Sequence, residues 1–175
     1  NELLSLFILM GAIYRALGNL NMAVKCAEKA IMIAKKIGNR RSLAISYNNI
    51  GTYHDIKGDL KKAIDYYEKT LLIREKLGDK RGESITCCNI GILKNRTGEK
   101  ELALIYFNRA QGIMERIHDV RGLFSLYHDV AHCLLSMAKR EQALEYLNRA
   151  RQIAHEKKDK TMLGKINHEY GNYYF

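Results

Sequence analysis

His128 and His132 stand four residues apart, with Cys133 beside the second and His168 forty residues beyond the first. On a helix, that spacing puts both imidazoles on one face, where they could chelate a metal ion. No carboxylate or thiolate at a fixed spacing completes a coordination shell. The histidines are therefore read as polar residues lining a groove, and neither a metal nor a cofactor is expected. Arg41, Arg81 and Arg121 recur every forty residues; guanidinium groups in register could grip carboxylates or phosphates, or could pair with nearby acidic residues or face water. Asn49 and Asn89 repeat at the same interval, and an amide that donates and accepts can hold an extended backbone without reading its side chains.

Catalytic patterns are missing. The sequence has no GxSxG, no HExxH, no GxxxxGK[ST], and no cysteine and histidine in a context that would activate a nucleophile. No catalytic residue is assigned and the chain is read as a non-enzyme.

The elements that must position these residues follow from an internal period of 40. Gly11, Gly51 and Gly91 share it, as do Gly18, Gly58 and Gly98, then Ala23, Ala63, Ala103 and Ala143, then Ile33, Ile73, Ile113 and Ile153. Asn39, Asp79, Asp119 and Asp159 mark one turn, and Asn19, Asp59 and Glu99 mark the other. Several registers at one period establish a repeat. Each unit reads as two helices, opened by an Asn or acidic cap and closed near a glycine. Turns are expected near Gly18, Gly38, Gly58, Gly78, Gly98, His118, Ala138 and Lys158, giving nine helices. In one second helix, Ala63, Ile64, Tyr67, Leu71 and Leu72 fall at helical spacing as an apolar face, and the pairs Tyr66-Tyr67 and Tyr106-Phe107 read as core. Gly51 and Ala63 are placed for close helix approach. A single hairpin cannot bury its own apolar face, so the units must stack.

Composition agrees. The chain has 175 residues, 47% hydrophobic, with no proline and no tryptophan, which suits continuous helices on glycine-made turns. Four cysteines without CxxC spacing suit reduced thiols and a cytoplasmic setting rather than a disulfide frame. The formal charge of +10 admits a nucleic-acid or acidic partner, or a solvated basic face. Many of the lysines (Lys25, Lys29, Lys61, Lys62, Lys69) fall on second helices. The apolar run Leu3, Leu4, Leu6, Phe7, Ile8, Leu9 and Met10 is too short to span a bilayer and lacks the basic leader of a signal peptide. It carries too many apolar residues for one buried face, and Leu163, Tyr170, Tyr173, Tyr174 and Phe175 end the chain in the same way. Self-association through these end helices, or further repeats in a longer parent chain, is expected.

These residues carry a resemblance. Each unit resembles a tetratricopeptide repeat: the large residue appears as Phe7, Tyr47, Cys87 and Tyr127, the aliphatic before the small residue as Met10, Ile50, Ile90 and Val130, and the second-helix signature as Ala63, Tyr67, Thr70 and Ala103, Phe107, Ala110. The period of 40 and the missing terminal proline point to the longer-helix subclass, which includes LGN-type scaffolds, kinesin light chains, the maltose regulator MalT and Rap-type receptors. The resemblance implies an all-α, right-handed solenoid of antiparallel helix pairs, with repeats over 1–38, 39–78, 79–118 and 119–158 and the first helix of a fifth over 159–175, as a fragment of a longer chain. It also implies a concave groove lined by first helices, where Asn48, Asn49, Thr52, Asp55, Cys88, Asn89, Ile92, Asn95, Arg96, His128, Asp129 and His132 would meet an extended peptide or protein segment. Asp129 and Glu169 replace the Asn in later units. The alternative reading is a nucleic-acid-binding or ligand-sensing regulatory solenoid joined to an effector domain.

Overall fold

The computed structural model describes residues 2–164 and 166. Eight helices follow one another: α1 (Glu2–Ala16), α2 (Leu20–Lys36), α3 (Arg40–Ile56), α4 (Leu60–Leu77), α5 (Lys80–Arg96), α6 (Lys100–Arg116), α7 (Val120–Ser136) and α8 (Arg140–Glu156). Residues 160–164 begin a further helix, and no strand occurs among the described residues. Tyr170, Tyr173, Tyr174, Phe175, His168 and Glu169 lie outside them. The chain forms two compact units, Asn1–Leu93 and Lys94–Phe175, and the division falls inside α5.

All eight expected turns are where the residue types place them, each with a left-handed backbone at its second position. The glycines 18, 38, 58, 78 and 98 have φ of 76°, 68°, 82°, 66° and 87°, and His118, Ala138 and Lys158 adopt 55°, 58° and 51°. The residue that follows then closes the outgoing helix. Its N–H donates to the carbonyl five residues back, as in Asn19 to Tyr14 at 2.8 Å, Asn39 to Ala34 at 2.9 Å and Asp79 to Arg74 at 3.0 Å. This is the Schellman closure that satisfies a carbonyl otherwise left open at a helix end. The same residue's side chain opens the next helix: Asn19, Asn39 and Asp119 accept from the N–H groups of Met22, Ser42 and Gly122 at 3.1, 3.0 and 3.0 Å. Glu99 departs from the expected pattern. It stands at the cap position but makes no cap bond; its longer side chain reaches Lys94 Nζ at 3.0 Å and Thr97 at 3.0 Å instead.

In the first unit, α1 pairs with α2 and α3 with α4 through small-residue contacts. A Cβ on Gly51 would stand 3.0 Å from the Tyr67 ring and 3.4 Å from the Ala63 carbonyl, and one on Gly11 would stand 3.0 Å from the Tyr53 hydroxyl. Ala23, Ala27, Ala30 and Ala34 line the inner side of α2 and are buried. On α4, Ala63, Ile64, Tyr67 and Leu71 are buried as the spacing predicts, whereas Leu72 is 58% exposed. Nine residues at about 100° each carry Leu72 to the far side of the helix from Ala63. The face is completed by the fully buried Thr70 instead. Tyr66 is likewise half-buried rather than core.

The second unit repeats the plan with α6, α7 and α8. Ala103, Phe107 and Ala110 on α6, Leu126, Val130 and Leu134 on α7, and Ala143, Leu147 and Ala150 on α8 are all buried. On α1, Leu3, Leu6, Leu9 and Ile13 are 55%, 49%, 57% and 48% exposed while Leu4 is buried, consistent with more apolar surface than one face can use.

Leucine at Ala63 or Ala103 overpacks a closed helix crossing and should cost about 1–3 kcal/mol in urea melts. Ala138→Gly should stabilise by about 0.5–1 kcal/mol by relieving a left-handed alanine, and Gly38→Ala should cost about 1 kcal/mol, since its Cβ would meet open space and only backbone strain remains.

Candidate functional site

The predicted groove residues fall on first helices at half-buried or exposed positions, with different commitments. In the first unit, Asn48, Asn49, Thr52 and Asp55 are half-buried on α3, and Cys88, Asn89 and Ile92 are half-buried on α5. Thr52 is engaged internally: its hydroxyl donates to the Asn48 carbonyl at 3.1 Å and lies 3.1 Å from the Tyr67 hydroxyl. Burial raises the Tyr67 phenol above its ordinary value, so that hydroxyl stays protonated as part of the hairpin. Asn48 Oδ1 is buried with no hydrogen-bond partner. Asn49 borders a crevice shared with Phe7, Gly11, Ser46 and Tyr53 that is too narrow for water. Neither Asn49 nor Asn89 makes a side-chain hydrogen bond among the described residues. Two equivalent amides one repeat apart are therefore uncommitted.

In the second unit, Asn95 Oδ1 lies 3.3 Å from the Ser136 hydroxyl, which donates to the Cys133 carbonyl at 2.7 Å. Arg96 is exposed and engaged. His128 Nδ1 lies 3.6 Å from Asp129 Oδ1, and His132 is exposed. Cys133 is buried and turned toward the Lys100 carbonyl at 3.8 Å, its thiol pushed above the ordinary value chiefly by burial. It does not join the two imidazoles, and no cluster of three potential metal ligands exists among the described residues. None of the four cysteines is in a disulfide.

The arginines in register differ too. Arg41, Arg81 and Arg121 are all exposed, but Arg81 is engaged while Arg41 makes no hydrogen bond or ion pair among the described residues.

One cluster escaped the sequence reading. The rings of His54 and Tyr66 stack at 5.7 Å, Tyr47 lies 5.9 Å from Tyr66, and the ammonium groups of Lys69 and Lys35 sit 4.8 Å and 5.9 Å from Tyr66 and Tyr47. Cations over tyrosine faces are attracted by the ring quadrupole. Tyr66 three positions from Lys69 on α4 would have been the available signal, but the stack needs His54 from α3. His54 Nδ1 is buried without a hydrogen bond, 3.7 Å from Asp59 Oδ2. Burial pulls its imidazole below the ordinary value, helped by Lys62 and Lys57, against Asp59 and Glu28.

A base with a depressed folded pKa binds its proton more tightly in the unfolded chain. Its contribution is intact above the ordinary value of 6.5 and declines as pH falls through that value. Between about pH 7.5 and about pH 5 the wild-type chain should therefore lose more thermal stability than His54→Gln. Parallel curves for the two would contradict a neutral buried His54.

Comparison with known proteins agrees with the fold. The tetratricopeptide repeat family model matches residues 2–76 and 56–116, and the chain belongs to that family. Comparison with functionally curated sequences finds no match. Among solved structures, aspartyl phosphate phosphatase F from Bacillus subtilis is 21% identical with a TM-score of 0.88 over 95% of this chain and 44% of its own. A Podospora anserina putative kinesin light chain with nearly identical repeats is 16% identical with a TM-score of 0.81, covering 98% of this chain and 85% of its own. The Rap conjugation gene regulator of plasmid pLS20, solved with the Phr* peptide, is 20% identical with a TM-score of 0.81, covering 98% and 47%. At these identities the likeness shows the fold: an all-α solenoid of antiparallel helix pairs. The chain spans about half the length of the phosphatase and of the Rap regulator.

Proposed function

We propose that this chain is a binding module for a protein or peptide, and that in its first unit an extended segment is held by its backbone on α3 and α5. The observation that carries the reading is the pair of uncommitted amides at equivalent positions, Asn49 and Asn89. The other polar groove side chains of that unit are engaged, as Thr52 is with Tyr67, or have a buried oxygen, as Asn48 does. The complex of the pLS20 Rap regulator with a peptide supports the class of partner. Fold alone does not set the ligand. The reading assigns no catalysis and places the chain in the cytoplasm, where four thiols outside any disulfide are at home. No helix among the described residues is long and apolar enough to cross a membrane. In the second unit Asp129 stands where Asn49 and Asn89 stand in the first, so a segment engaging α7 there would meet an acidic surface.

The net charge of +10 sustains nucleic acid as the second reading. The double variant Asn49→Ala with Asn89→Ala separates the two. Loss of two neutral hydrogen bonds at about 0.5–1.5 kcal/mol each should weaken peptide or protein binding about ten- to a hundredfold without changing the melting temperature. Lys25→Glu with Lys61→Glu, exposed on α2 and α4, should leave that binding intact. If the charge reversals abolish binding and flatten its salt dependence while the Asn pair does nothing, the basic surface is the working one. Self-association through the exposed stripe of α1 belongs to the same proposal; in sedimentation, Leu6→Lys with Ile13→Lys should shift any dimer to monomer.

A further inference from the structure

The repeat itself serves as the control for an unusual side chain. Arg74 occupies the register of Ala34, Met114 and Ala154, which are 1%, 3% and 0% exposed. Every other described unit keeps this position apolar; here a guanidinium is brought in, with its side chain 12% exposed. Part of it is structural. Nη1 donates to the Gly82 carbonyl at 2.6 Å and to the Thr86 hydroxyl at 2.7 Å, and Nε lies 3.8 Å from Asp79 Oδ2. Only glycine leaves room for this arrangement, since a Cβ at Gly82 would stand 2.8 Å from Arg74 Cδ and 2.2 Å from Asp79 Oδ2. These bonds tie the end of α4 to the start of α5, but they leave Nη2 without a hydrogen bond among the described residues.

Arg74 also lines a cleft at the end of the α3–α4 hairpin. The cleft has a volume of about 260 Å³ and is bounded by Arg41, Ala44, Ile45, Arg74, Leu77, Gly78 and Asp79. Arg41 has no ion pair among the described residues, and Ile45 and Leu77 are 44% and 37% exposed. The lining carries two guanidinium groups, one carboxylate and an apolar wall. Asp79 is partly occupied in accepting the Gly82 N–H at 2.9 Å and closing the turn. We propose that this cleft is a binding site for a single carboxylate carried next to a small apolar side chain, as at the C-terminal residue of a peptide. A planar guanidinium matches a carboxylate in geometry as well as charge. The volume suits one residue rather than a longer ligand, and Asp79 disfavours a doubly charged phosphate. The site uses none of the groove amides, so it stands whether or not Asn49 and Asn89 hold a peptide.

The test uses ¹⁵N-labelled chain, titrated with N-acetyl-leucine and observed by amide chemical shifts. Saturable shifts confined to Ile45, Leu77, Gly78 and their neighbours are expected. N-acetyl-leucinamide, which lacks the charge, should bind at least tenfold more weakly, and inorganic phosphate should not displace the acid. Arg41→Gln should weaken N-acetyl-leucine at least tenfold with an unchanged melting temperature, because Arg41 makes no hydrogen bond or ion pair among the described residues. Arg121→Gln, the same register in the second unit, should leave the titration as in wild type. The proposal is overturned if shifts fail to saturate, if the amide binds as well as the acid, if phosphate competes on equal terms, or if Arg41→Gln has no effect.

Discussion

In each turn, the N–H of one residue completes the outgoing helix, and where that residue is Asn or Asp its side chain also caps the incoming one. Everything else in the chain hangs on this shared position. A left-handed residue followed by one such closing residue is about the shortest reversal two helices allow; these turns recur every 20 residues and the helix pairs every 40. Proline cannot serve there, because the closing bond requires its N–H. Fixed helix length in turn keeps Gly11 opposite Ala23 and Gly51 opposite Ala63, the contacts through which the hairpins close.

The second unit shows which half of the arrangement is indispensable. Glu99 and Lys139 make no side-chain cap, and His118 and Ala138 replace glycine at positive φ. The closing N–H bond nevertheless persists at 2.9 Å for Glu99, Asp119 and Lys139. Backbone closure is required for the reversal; the cap and the glycine lower its free energy. Turn chemistry thus erodes along the chain without losing the helix boundaries.

A repeat of this regularity makes its exceptions informative. Positions that alternate among Ala and Met elsewhere admit Arg74 only because Gly82 opens the space and Thr86 and the Gly82 carbonyl accept its protons. The His54–Tyr66 stack is a second exception, where a buried imidazole lacks a hydrogen bond at Nδ1. Both are polar groups that the packing tolerates at a cost in desolvation, and both lie in the first unit, as do the two uncommitted amides.

Helix boundaries, caps, small-residue contacts and the family followed from sequence because each depends on residues within a few positions of one another or on a register repeated four times. The left-handed turns at His118, Ala138 and Lys158 were legible for that reason, although none of the three is glycine. What only the tertiary structure decided were commitments made across helices. Thr52 and Asn49 look alike as polar first-helix residues, yet the hydroxyl meets Tyr67 fifteen residues away and the amide makes no hydrogen bond among the described residues. Leu72 reads as core by its type, but packing leaves it on the solvent side and buries Thr70 instead. Arg74 is held in an otherwise apolar register only because Gly82 and Thr86 are brought to it from the next helix. A hydrogen bond between helices depends on both partners' rotamers and on the angle at which the helices cross, and no spacing along one chain segment encodes either.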